Sequence, residues 1–283
     1  MKIPEEIEKC VAFIESEGPD GVFKPVGTVF FITLSNQTGA SPYRRYAVTA
    51  RHIIDSIDTK KCNNCVFIRL NLIQGALKRI TTYPEDWFTH PDHHPETNYI
   101  DVAILPLDSD SEVDWLFWPV EGFATSEAIR EIEISLGDDV FLTGLFHRHY
   151  GTIRNVPIIR SGIISAMPNE PVYSDNCYVN GYLIEARSIA GLSGSPVFVR
   201  PESLCTRSPE TVDELAIGRW GGMAAHYWLL GLMHGHWNIE SEEIDNFISD
   251  GAGIDAINTG IGIVVPAQKI FETVEYSLLA KHL

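Results

Sequence analysis

Gly191-Leu192-Ser193-Gly194-Ser195-Pro196 is the stretch on which the reading of this chain turns. Glycines at 191 and 194 permit backbone angles that a residue with a Cβ resists. A tight turn of this composition can expose a serine hydroxyl and aim nearby amide N–H groups at one point. Acyl transfer needs that combination: a nucleophile, with donors where negative charge will develop. Read alone, the stretch is only suggestive, since a Gly/Ser/Pro cluster is usually just a turn. The decision rests on whether a histidine and a carboxylate stand in compatible surroundings.

They do. His52 follows the strand-like run Tyr46-Ala47-Val48-Thr49-Ala50, and Asp101 opens the apolar run Val102-Ala103-Ile104-Leu105. The order is His, Asp, Ser. Triads of one geometry recur on unrelated folds in different chain orders, so the order discriminates. A Ser, acid, His order with Gly-x-Ser-x-Gly would indicate an α/β-hydrolase; here position 195 is Ser. Asp55 and Asp58 are rival carboxylates, but they lie too close to His52 in sequence to fit the pattern.

Bulk properties bound the function. The 283 residues are 45% apolar, enough for a substantial core. Asp and Glu number 38 against 21 Lys and Arg, for a net charge of −17. That balance argues against nucleic acid or an anionic membrane as partner. No basic segment followed by an apolar run opens the sequence, and no apolar stretch reaches membrane-spanning length. Five cysteines, an odd and sparse set, fit a reducing compartment. A cytoplasmic location is expected.

Along the chain, short β-branched and aromatic runs alternate with turn clusters: 10–14, 27–34, 46–50, 66–72, 101–107, 136–144, 157–165, 178–185, 197–199, 228–233 and 260–265. Many short strands of this kind argue for barrels or sandwiches. Residues 108–135 read as a connection, with a helical turn near 126–131. Segments 201–211 and 238–253 read as polar loops, the second acidic. Ile270, Phe271, Val274, Leu278 and Leu279 recur at helical spacing after Pro266, predicting a terminal helix.

The stretches Val48-Thr49-Ala50-Arg51-His52, Asp101-Val102-Ala103-Ile104-Leu105 and Gly191-Leu192-Ser193-Gly194-Ser195-Pro196 together resemble the trypsin-like, chymotrypsin-fold serine peptidases. Gly27-Thr28-Val29-Phe30-Phe31 and Gly260-Ile261-Gly262-Ile263-Val264-Val265-Pro266 support the match, which resembles the bacterial stand-alone members. The resemblance implies an all-β fold of two six-stranded antiparallel barrels with the site in the cleft between them. Residues 1–120 would form the barrel carrying His52 and Asp101, 121–265 the barrel carrying Ser193, and 266–283 the helix. Ser193 would be the nucleophile of a serine endopeptidase, His52 the general base and Asp101 its orienting carboxylate. The N–H groups of Gly191 and Ser193 would form the oxyanion hole. Ser195 is the competing hydroxyl. Arg187, Ala190, His234, Gly235, His236 and Gly260 would line the substrate pocket.

Leu192 departs from the digestive members, which carry there an aspartate that receives a new N-terminus on activation. Control by that salt bridge is therefore not expected. No cofactor or metal is expected. Cys62-Asn63-Asn64-Cys65 lacks the second pair that a zinc site needs, and His90, His93 and His94 read as a surface loop. A protein or peptide substrate is expected, with room for a regulatory partner. Two other readings stand beside the peptidase: a catalytically silent module of the same fold, and a metal-stabilised interaction domain.

Overall fold

The computed structural model describes residues 3–35, 43–57, 64–174, 177–186, 191–203, 226–240 and 256–280. The chain folds into two β lobes. The first contains helix α1 (Glu5–Lys9) and strands β1 (Val11–Glu17), β2 (Phe23–Ser35), β3 (Tyr43–Thr49), β4 (Val66–Asn71), β5 (Leu77–Thr82), β6 (Phe88–Thr89), β7 (Ala103–Leu107) and β8 (Trp118–Pro119), with helix α2 (Arg51–Ser56) after β3. These strands form one eight-stranded sheet in the order β5-β4-β1-β2-β3-β7-β6, with β8 parallel to β2. A closed six-stranded barrel was expected for this lobe. Among the described residues the sheet is instead an open path ending at β5 and β6. Pro84, in the turn between those strands, has no N–H to offer a ladder. Trp87 is buried beside it and donates to Thr82 Oγ1 at 3.1 Å.

The second lobe begins after helix α3 (Ser126–Ile132). Strands β9 (Asp139–Gly144), β10 (Ile158–Ala166), β13 (Tyr182–Glu185), β14 (Pro196–Arg200), β15 (Trp228–Glu240) and β16 (Ala256–Pro266) close a six-stranded barrel, β10-β13-β16-β15-β14-β9. Strands β11 (Val172–Ser174) and β12 (Cys177–Val179) pair separately. β15 extends to Glu240, so part of the expected 238–253 loop is strand backbone, and the acidic remainder lies outside the described residues. Helix α4 (Ala267–Ala280) follows and buries Ile270 and Val274, as its periodicity predicts.

Alternating side chains decide which faces are buried. In β2, Val29 to Ile32 are all covered, because this central strand is packed on both faces. Trp118 and Phe198, one from each lobe, are fully buried with ring centroids 4.5 Å apart. Burying each such ring stabilises by about 1.5–3 kcal/mol, so the lobes are joined by core packing. The large apolar cluster runs through both lobes, and a smaller one fills the second barrel.

Candidate active site

His52 sits in the first turn of α2, after Ala50 in extended conformation. No side chain within the helix caps this end. Asp101, two residues before β7, does that work from outside. Its Oδ1 accepts the His52 backbone N–H at 2.9 Å, and its Oδ2 lies 2.7 Å from His52 Nδ1. One carboxylate thus holds both the backbone and the ring of residue 52. The anion beside Nδ1 keeps the proton on that nitrogen, which leaves Nε2 as the basic atom. His52 is partly exposed and Asp101 is fully buried. Of the rival carboxylates, Asp55 is exposed and pairs with Arg51 at 3.0 Å; Asp58 lies outside the described residues.

A second imidazole shares the same carboxylate. His234, buried on β15, places Nδ1 2.5 Å from Asp101 Oδ2. Burial pushes the Asp101 carboxyl upward, but the hydrogen bonds from His234 and His52, and their charges, override it. The group is held well below the ordinary carboxylate range. The rings of His52 and Tyr99 meet that of His234 edge to face, at 5.6 and 5.8 Å. Burial first, then the Asp101 charge, raises the Tyr99 hydroxyl.

Among the described residues, His52, Asp101 and His234 are the one group whose donor atoms lie close enough together for a metal ion. Two imidazoles and a carboxylate suit zinc-class ions. Contacts of 2.5 and 2.7 Å are nonetheless hydrogen-bond spacings, with a proton between the atoms. A shared ion about 2.0–2.1 Å from each ligand would force the atoms apart. The arrangement fits protons better than a metal.

The glycine turn is held against this cluster. Gly191 and Gly194 have φ of +102° and +79°, angles that a Cβ resists. A Cβ on Gly194 would collide with the Thr28 carbonyl oxygen and lie 2.5 Å from Thr49 Oγ1. The turn therefore abuts the strand end that leads into His52. Thr28 N–H donates to Ser193 O at 3.0 Å, Gly194 N–H to Met233 O at 2.8 Å and Ser195 N–H to Leu192 O at 2.9 Å. The N–H groups of Gly191 and Ser193 are donors in none of these bonds. Ser193 is half-buried. Ser195 is fully buried, with its hydroxyl enclosed, so it cannot meet a substrate. Leu192 is packed in the barrel core.

No protein-family model matches the sequence, and no curated protein sequence matches it significantly. Similar solved structures do exist. The protease domain of MamO from Magnetospirillum magneticum superposes with a TM-score of 0.50 at 13% identity, covering 94% of this chain and 96% of that one. HBP, solved at atomic resolution, superposes with a TM-score of 0.52 at 11% identity, covering 98% of this chain and 95% of that one. The fold is that of the trypsin-like serine peptidases.

Within this trypsin-like fold the expected pocket residues fall in different places. Arg187 and Ala190 lie outside the described residues. His234 is on Asp101, with its other ring nitrogen, Nε2, enclosed. Gly235 and His236 are half-buried on β15, opposite Ile263 and Gly262 of β16, and Gly260 O accepts Ala186 N–H at 3.0 Å. The histidine loop is structural. His90 is buried on Glu272 of α4 at 2.9 Å, and His93 Nδ1 is 3.1 Å from both the N and O of Ile100. Cys62 lies outside the described residues, while Cys10 and Cys177 are buried thiols. Sequence reasoning missed the partnership of His234 with Asp101, and also Thr28 as the anchor of the turn. Thr28, a polar residue between Gly27 and an apolar run, was the available signal.

Proposed function

We propose that the chain is a serine endopeptidase acting through Ser193, His52 and Asp101. The observation that carries this reading is the buried carboxylate that binds both the N–H and Nδ1 of His52. Such a clasp fixes the imidazole in the tautomer whose Nε2 takes a proton from a hydroxyl. Ser193 Oγ would attack the scissile carbonyl while Nε2 accepts its proton. The imidazolium, stabilised by Asp101, would return that proton to the leaving amine. The Gly191 and Ser193 N–H groups would receive the oxyanion, each worth about 3–4 kcal/mol in the transition state. Water would then hydrolyse the acyl-enzyme by the same relay.

The substrate would be a protein or peptide. The silent-module reading gains no observation, since both groups that a lapsed site is free to lose are present and bonded. No described helix is long and apolar enough to cross a membrane. A cytoplasmic location and a regulatory partner remain part of the proposal.

Labelling with a fluorophosphonate probe tests the mechanism. Wild type should be labelled at Ser193, and Ser193→Ala and His52→Ala should not. A folded wild type that resists the probe, or a Ser193→Ala variant labelled as strongly as wild type, would sink the reading.

A further inference from the structure

His234 does more than fill space beside Asp101. Its Nδ1 faces the carboxylate oxygen at 2.5 Å, so that nitrogen carries the proton. Nε2 is enclosed and has no partner among the described residues. The ring therefore donates to Asp101 through Nδ1. Asp101 Oδ2 accepts from two imidazoles, while Oδ1 accepts the His52 backbone N–H.

Two consequences follow from that sharing. First, the carboxylate is pinned from a third direction, by a strand of the other lobe. Secondly, its charge is divided between two N–H donors. A carboxylate with more donors is a weaker acceptor for each, so it stabilises a His52 imidazolium less. The base then sheds its proton more readily in mild acid. The other ionisable groups around the pair are Tyr99, His93 packed on Tyr99 at 4.9 Å, and Arg51 with Asp55 on α2. The sum of Arg51 and Asp55 is neutral, and Tyr99 is held protonated. Among the described residues, His52 and His234 are the ion-pair partners of Asp101.

We propose that His234 is a positioning residue of the catalytic apparatus: it fixes Asp101 and, by drawing on its charge, extends activity toward acid pH. This rests on the Ser193 reading above.

The test compares His234→Ala with His234→Asn, whose amide N–H can occupy the place of Nδ1–H. In His234→Ala, kcat should fall about tenfold or more with little change in KM, because a displaced Asp101 misaligns the base. The acid limb of kcat/KM should move to higher pH by about half a unit or more. His234→Asn should recover both. Proton NMR gives a readout independent of activity. Wild type should show two far-downfield imidazole N–H resonances, His234→Ala one, and Asp101→Asn neither at its original position. A folded His234→Ala with the wild-type acid limb and kcat overturns the proposal. So does a His234→Asn variant as impaired as His234→Ala, or a single downfield resonance in wild type. If the probe fails to label wild type but both resonances are present, the peptidase reading falls and the shared carboxylate stands.

Discussion

The Thr28 hydroxyl donates to the Gly191 carbonyl at 3.1 Å, and it accepts the Leu145 N–H at 2.8 Å. With the backbone bond from Thr28 N–H to Ser193 O, one residue of the first lobe grips two carbonyls of the glycine turn. Thr49 Oγ1 in turn donates to Thr28 O at 2.7 Å. This clamp and the buried Leu192 hold the glycine turn against the strand end that leads into His52. Thr28→Val keeps the shape and removes the hydroxyl. It should leave Leu145 N–H and Gly191 O without partners and destabilise by about 1–3 kcal/mol. Probe labelling should slow by roughly tenfold or more. Thr28→Ser should keep most of the rate. Denaturant titration alongside labelling kinetics separates the two effects, and equal labelling by Thr28→Val and wild type would remove the clamp from the mechanism.

Asp101 links the site to pH-dependent stability. Its folded ionisation lies below the unfolded value of about 3.9. A lowered carboxylate stabilises the fold above the unfolded value, and that contribution is lost as pH falls toward the folded one. Wild-type stability should therefore decline as pH drops below about 4. Asp101→Asn should show a shallower decline over the same window. Its catalytic rate should fall about ten-thousandfold, because the amide no longer enforces the His52 tautomer. Melting curves at several pH values, with labelling rates, check both outcomes.

Gly194 and Gly75 offer a matched contrast. Their φ angles are +79° and +86°, so alanine at either is strained. A Cβ at Gly75 meets nothing within 4 Å, whereas at Gly194 it strikes Thr28 O. Gly75→Ala should cost about 1 kcal/mol. Gly194→Ala should add a backbone displacement to that cost, exceed about 2 kcal/mol in all, and abolish labelling. Chemical denaturation of the pair decides the matter. Equal costs would mean that the turn relaxes freely.

The strands and the His, Asp, Ser order were legible because local pattern carries them: β-branched runs, glycine turns and a carboxylate opening an apolar strand. The short strands alone left barrel or sandwich open, and the closed second barrel was what the family resemblance implied. The open first sheet did not, because it depends on how Pro84 and Trp87 separate two end strands. His234 reaches Asp101 across 133 positions, and Thr28 reaches Gly191 across 163. No local pattern encodes such contacts. His234 looked like a pocket residue from its neighbours in sequence, and only the barrel places its ring on the carboxylate.

Arg69 ties the first lobe to the loop beside the turn. Buried on β4, it sits 3.4 Å from Glu15, donates to Asn155 Oδ1 at 2.9 Å and to Gly151 O at 2.7 Å, and lies over the Tyr150 ring. His147, in the same loop, lies against Gly191, where a Cβ would be 2.9 Å from its ring. Arg69→Met should leave Asn155 and the Gly151 carbonyl short of a donor. Glu15 keeps Arg79 at 2.6 Å, so the loss should fall near the low end for a broken buried pair, about 3 kcal/mol. Arg69→Lys should recover little, because a single ammonium cannot serve the several acceptors met by the guanidinium fork. Amide exchange should rise across 146–156 in both variants, and labelling of Ser193 should slow as the support behind Gly191 loosens. Unchanged exchange in that loop, with stability lost, would confine Arg69 to holding the first lobe together.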